Sequence, residues 1–81
     1  MASIQKKYVG LLGGSFDPAH KGHLGISKIA IKKFKLKKIY WVITKKNPFK
    51  KKTFFSLDKR INFAKKISRS QKKIEALHLD D

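Results

Sequence analysis

Gly13-Gly14-Ser15-Phe16-Asp17-Pro18-Ala19-His20-Lys21-Gly22-His23 is the stretch on which the reading of this chain turns. An apolar run, Tyr8 to Leu12, leads into it, and a segment of helical periodicity leads out. The run is short, almost wholly apolar and followed by two glycines, so it reads as a strand that Gly13-Gly14 stops. Apolar on both faces, it suits the centre of a parallel sheet. Pro18 stands close to the first-turn position that proline favours. The stretch therefore reads as strand, tight loop and helix start, with anion-binding groups at the junction. Gly13 and Gly14 can take backbone angles closed to other residues and let a ligand approach the main chain. Ser15 offers a hydroxyl, and neighbouring N–H groups can form an anion-binding nest. His20 and His23, three apart on a first helical turn, share one face at the positive end of the helix dipole, a natural phosphate site. Gly22 lies between them with no side chain to block a ligand.

Outward from this stretch the chain alternates. From His20 to about Lys35 the pattern is helical: Ile26, Ala30 and Phe34 fall at i, i+4 and i+8, with Ile29 beside them. Lys28, Lys32, Lys33 and Lys35 fill polar positions and put positive charge near the helix C-terminus, where the dipole favours it. Ile39-Tyr40-Trp41-Val42-Ile43 is a continuous β-prone run, the second strand. A basic loop, Thr44 to Lys52, follows, with a turn at Asn47-Pro48. Ser56 is placed to cap a second helix, with Asp58 in its first turn. Leu57, Ile61, Ala64 and Ile67 form that helix's apolar stripe, flanked by Phe63. Ser68-Arg69-Ser70-Gln71 breaks the pattern, and Ile74 to Leu79 reads as a third strand. The order β-α-β-α-β, with right-handed crossovers, makes a three-stranded parallel sheet. The fold class is α/β, a Rossmann-like three-layer αβα arrangement of which only the first β-α-β-α-β half is present. Residues 1–81 are read as the N-terminal part of one such domain, with no internal repeat and no separable linker.

Composition narrows the function classes. The chain has 81 residues, 41% of them hydrophobic, and a formal net charge of +16. A domain this small buries only about 60–65% of its unfolded surface, so its core is thin. Of the 21 basic residues only Arg60 and Arg69 are arginine, the type suited to forked phosphate and base contacts. The lysines are spread along the whole chain, so they read as a solvated surface rather than a nucleic-acid footprint. There is no cysteine, which excludes disulfides, thiolate-bound zinc and thiol chemistry. The N-terminus does not make a signal peptide, and no stretch approaches the ~20 apolar residues that span a bilayer. A cytoplasmic protein without membrane contact is expected.

Other phosphate and metal motifs fail on spacing. Gly10, Gly13 and Gly14 do not match the dinucleotide pattern G-x-G-x-x-G, and no Gly-Lys-Ser/Thr of the Walker type follows. His20 and His23 could begin a metal site, but only Asp17 is near enough in sequence to join them, and zinc spacings are absent.

Gly14-Ser15-Phe16-Asp17-Pro18 followed by His20-x-Gly22-His23 resembles the signature of the nucleotidyltransferases marked by a His-x-Gly-His motif. Within that superfamily the chain is most similar to the nicotinate-nucleotide adenylyltransferase family. Tyr40 to Thr44 leading to Asn47-Pro48-Phe49-Lys50 resembles the second strand and substrate loop of its bacterial members. Ser56-Leu57 to Ala64, with Arg60, resembles the following helix. The resemblance implies adenylyl transfer from ATP to nicotinate mononucleotide, with Mg2+ assisting, giving deamido-NAD and pyrophosphate. It implies that His20 and His23 hold the ATP phosphates as the catalytic pair. It also implies that Gly14, Ser15 and Phe16 contribute backbone and hydroxyl contacts, that Lys50 contacts phosphate, and that Lys46 and Asn47 meet the nicotinate nucleotide. No metal-ligating residue is implied. Ser15 stands where many members have Thr, and Ala19 and Lys21 differ from bulkier residues common around the first His. Members of the family are longer, with a C-terminal Ser/Thr-rich segment and an Arg that bind ATP phosphates and aromatic residues that sandwich the nicotinate ring. Nothing in these 81 residues matches that part.

Two alternatives stay open on the sequence. One is another His-x-Gly-His nucleotidyltransferase, acting on phosphopantetheine or a cytidylyl acceptor. The other, resting on charge alone, is a non-catalytic basic module that binds nucleic acid. The sequence carries no signal of oligomeric state.

Overall fold

Alternation along Lys38-Ile39-Tyr40-Trp41-Val42-Ile43 organises the structure, a computed structural model that describes residues 8–45 and 54–78. Five elements follow in order: β1 (Val9–Gly14), α1 (Lys21–Phe34), β2 (Lys38–Ile43), α2 (Leu57–Ser68) and β3 (Ile74–Leu77). The three strands are parallel, in the order β1-β2-β3, so β2 is central. Ile39, Trp41 and Ile43 are all buried, whereas Lys38, Tyr40 and Val42 between them are half-buried. Period-2 geometry sends the first set to one face and the second to the other. Parallel register carries the division across the sheet: Trp41 pairs with Leu12 on β1 and with Ala76 on β3.

The covered face holds the core. Phe16, Ala19, Ile39, Trp41, Ile43, Ala64, Ile74 and Ala76 are buried there, with Leu57, Ile61 and Ile67 of α2 packed against them. Two right-handed crossovers between strands laid out in sequence order put α1 and α2 on the same side. The described residues thus build two layers of the Rossmann-like arrangement, the sheet and one helical layer. Trp41 is fully buried, and its indole N–H donates to Ser27 Oγ of α1 at 2.8 Å, so the polar edge of the ring is satisfied inside the core. Gly10 lets Leu36 and Ile39 close over β1, since a Cβ there would lie 2.9 Å from Leu36 Cδ1.

The structure corrects several expectations. β1 does not stop at Leu12: Gly13 and Gly14 continue the ladder opposite Val42 and Ile43. Nor does β1 sit at the centre, because it has β2 as its one strand neighbour among the described residues. Val9 and Leu11 are exposed, Leu11 by 74%. The continuous apolar run marked a strand with two apolar faces, of which only one is covered here. In α1 the expected stripe is rotated. Ile26, Ile29 and Phe34 are exposed, while Ser27, Leu24, Ala30 and Ile31 turn to the core. Ile26 and Phe34 instead line a cleft beside β1, shared with Leu11, Leu12 and Leu36. β3 ends at Leu77 rather than Leu79, and Leu79 lies outside the described residues. The boundaries of α2 and the Ser56 cap agree with the sequence reading. Among the described residues, no helix is long and apolar enough to cross a membrane.

Candidate active site

The carboxyl ends of β1 and β2 and the N-terminus of α1 converge, which is where open α/β sheets take their ligands. His20 is the N-cap of α1, with extended backbone, one residue ahead of the first turn rather than within it. Its Nδ1 accepts the N–H of Gly22 at 3.0 Å, and Nδ1 of His23 accepts the N–H of His20 at 3.0 Å. The two imidazoles form a capping box in which histidines take the roles of serine and glutamate. This fixes their tautomers. A backbone N–H can only donate, so each Nδ1 carries its lone pair and each neutral ring carries its proton on Nε2. The pair therefore offers two Nε2–H donors at a helix N-terminus whose first turn contains no acidic residue.

The rings are held in a stack. Their centroids are 4.1 Å apart. His23 lies 4.5 Å from the Phe16 ring and 5.8 Å from Trp41, and Phe16 stacks on Trp41 at 5.3 Å. Burial on this aromatic floor, followed by the neighbouring His20, lowers the His23 pKa below its ordinary value. The lowering favours the neutral ring, the form the capping bond uses.

Ser15 and Phe16 differ from expectation in how they act. The two glycines do not supply the unusual backbone angles: no glycine among the described residues has positive φ. Phe16 does, at 48°, and this turn drives its ring into the core, where it is 3% exposed. A Cβ on Gly14 would meet only the Phe16 ring, at 3.6 Å, and one on Gly13 would meet nothing. Neither glycine is demanded by its neighbours among the described residues. The Ser15 carbonyl is taken by Arg60.

Arg60 is a site residue whose contacts the sequence did not reveal. It is 2% exposed. Its Nη1 donates to the carbonyls of Ser15 (2.9 Å) and Thr44 (2.7 Å), its Nη2 to Lys45 (2.8 Å) and its Nε to Phe55 (3.1 Å). The loop after β1, the loop after β2 and the entry to α2 are tied by one side chain. Asp17 makes a second tie: its carboxylate accepts the N–H groups of Phe54 and Phe55. Between them these residues close the two strand-end loops onto each other. His78, which the sequence reading puts inside the third strand (Ile74 to Leu79), lies just past β3, where its Nδ1 is 2.7 Å from the Ile43 carbonyl. A carbonyl can only accept, so this histidine carries its proton on Nδ1, opposite to His20 and His23.

Lys46, Asn47 and Lys50 lie outside the described residues. Among the described residues no three His, Asp or Glu side chains gather to hold a metal ion. The arrangement can do one thing well: receive an anion on paired imidazole donors at an unneutralised helix terminus.

Known proteins share this stretch. The cytidylyltransferase-like family profile matches residues 11–80. A Pelagibacter ubique protein named "probable nicotinate-nucleotide adenylyltransferase" is 60% identical over 63 residues, which is 78% of this chain and 35% of that protein. Proteins of the same name from a Ruegeria species and from Cereibacter sphaeroides are 49% and 44% identical, over 73% and 75% of this chain and 31% and 33% of theirs. The chain spans about a third of the length of these relatives.

Proposed function

The chain belongs to the cytidylyltransferase-like family, and from that premise we propose that it carries the nucleotide-binding part of an adenylyltransferase that joins ATP to nicotinate mononucleotide. In this reaction a phosphate oxygen of nicotinate mononucleotide attacks the α-phosphorus of ATP. The bond from that phosphorus to the bridging oxygen of the β-phosphate breaks, pyrophosphate leaves, and deamido-NAD is formed. No side chain bonds to the substrate, so catalysis is positioning plus stabilisation of charge on the phosphoryl oxygens.

The observation that carries the reading is the histidine capping box. His20 and His23 are each held through Nδ1, which leaves Nε2–H as the donor toward a phosphate. The α1 dipole adds to their pull on an anion. Gly14 and Ser15 are proposed to let the polyphosphate approach the backbone, with Phe16 supporting His23 from below. Lys46, Asn47 and Lys50 are proposed to meet the nicotinate nucleotide and its phosphate. Mg2+ is proposed to arrive as the complex of ATP. Sharing 60% of aligned residues with a relative of the stated name favours nicotinate mononucleotide as acceptor over phosphopantetheine. The setting is proposed to be the cytoplasm, where both nucleotides are available.

The deciding assay measures pyrophosphate release with ATP and nicotinate mononucleotide together and with each alone. CTP in place of ATP, and phosphopantetheine or nicotinamide mononucleotide in place of the acceptor, are the comparators. Release that needs ATP and nicotinate mononucleotide, and falls in His20→Ala and His23→Ala, supports the reading. Tight RNA binding that survives both replacements and weakens only with salt would favour the basic-module alternative.

A further inference from the structure

A buried guanidinium is costly unless its donors are filled, and such groups are ordinarily matched to a carboxylate. Arg60 is 2% exposed, yet its four hydrogen bonds all end on backbone carbonyls. The ion pair found among the described residues is elsewhere, between Lys38 and Glu75. Arg60 cannot release its proton, so it stays charged in place. The carbonyls it grips are Ser15 on the loop after β1, Thr44 and Lys45 on the loop after β2, and Phe55 just ahead of α2. Ser15 immediately precedes Phe16, whose left-handed backbone turns its ring onto His23. A mechanical path therefore runs from the guanidinium through the Ser15 carbonyl and the Phe16 ring to one of the two imidazoles.

We propose that Arg60 is a positioning residue of the phosphate site. It sets the two strand-end loops in register, fixes the Phe16–His23 stack, and holds a buried positive charge, with no carboxylate hydrogen-bonded to it among the described residues, next to the loop proposed to receive the anion. This rests on the reading of the α1 N-terminus as a phosphate site, and it assigns to Arg60 a role in affinity beyond holding the fold. Lysine cannot replace it: three donors on one nitrogen do not span carbonyls contributed by three segments.

The test uses the 81-residue chain with inorganic tripolyphosphate as probe, well below the melting temperature. Arg60→Lys is expected to keep its helical circular dichroism, to bind tripolyphosphate about tenfold more weakly, and to shift the His23 imidazole resonances even without ligand. Ile67→Ala, which thins the core on the same helix, is the structural control. It should lower the melting temperature and leave affinity within about twofold of the parent. A folded Arg60→Lys with parental affinity and unmoved His23 resonances overturns the assignment, as does an equal loss of affinity in Ile67→Ala. If Arg60→Lys does not fold, the parent decides: the Arg60 Nε–H resonance must move with those of His20 and His23 during the titration, and a stationary one overturns the assignment. A parent that binds no tripolyphosphate defeats the nucleotide reading instead, while the ligand-free His23 resonances of Arg60→Lys still decide whether Arg60 positions that ring.

Discussion

The two helices begin in different ways, and the contrast separates structure from function within one small fold. α2 starts on Ser56, whose hydroxyl accepts the N–H of Lys59, and Asp58 in its first turn offsets the dipole. An orphan N–H and the dipole of that terminus are both answered by its own sequence. α1 starts on His20, a residue seldom chosen as a cap, braced by His23. Its first turn holds no acid, and Lys21 and Gly22 stand where an acidic residue would stabilise it. The first helix is capped well enough to form and is left electrostatically open. That combination is what a site for an external anion needs, and α2 shows a helix start in the same chain that its own residues cap and offset.

The sharpest way to break the contrast is to remove each cap in turn. His20→Ala or His23→Ala should weaken ATP binding by on the order of ten- to a hundredfold, the range for lost hydrogen bonds to charged groups, while costing at most about 1 kcal/mol of stability. Calorimetric titration beside thermal unfolding measures both. If affinity falls only as far as the folded fraction does, the two helix starts are alike after all. Gly22→Ala comes next. A Cβ there would sit 2.7 Å from Cε1 of His20 and push the ring off its capping position. About a tenfold loss of ATP affinity is expected. Gly25→Ala on the same helix meets nothing within 4 Å and should instead stabilise by about 0.5–1 kcal/mol. Ser56→Ala tests the other terminus. It should cost about 1 kcal/mol in denaturant unfolding and leave ATP affinity unchanged.

The smallest effect is a pH dependence. The His23 pKa is lowered in the folded chain from an ordinary value of 6.5, first by burial and then by His20. The unfolded chain therefore binds more protons between 6.5 and the lower folded value, and the stability contributed by neutral His23 is present above 6.5 and lost as pH falls from there through the folded value. Melting temperatures between about pH 5 and 8 should decline toward acid, and His23→Gln should flatten the decline. The Ser56 cap has no such titration.

The sequence made the elements legible where periodicity and capping agree, as at β2 and α2. It also made the histidine pair legible, because residue type and spacing carry that signal. Less could be read where the partner is main chain. Arg60 and Asp17 bind carbonyls and N–H groups, which every position has, so no pattern of side chains announces them. The stripe on α1 was misjudged for a related reason. Ile26 and Phe34 obey helical spacing, but spacing marks an apolar face without saying whether the sheet or something else will meet it. The glycines misled through an assumption about angles: Gly13 and Gly14 pair as ordinary strand residues, and the unusual turn falls to Phe16.

The carbonyl-only grip of Arg60 has a consequence for how such a site could change over generations. Ser15, Thr44, Lys45 and Phe55 contribute to it nothing that their side chains determine. Each could be exchanged without loosening the frame, provided the backbone keeps its course. The loops that would face different substrates are thus free to vary in sequence while the scaffold that aims them stays constant. A frame gripped through main-chain carbonyls constrains the course of these loops and leaves their side chains open to other acceptors.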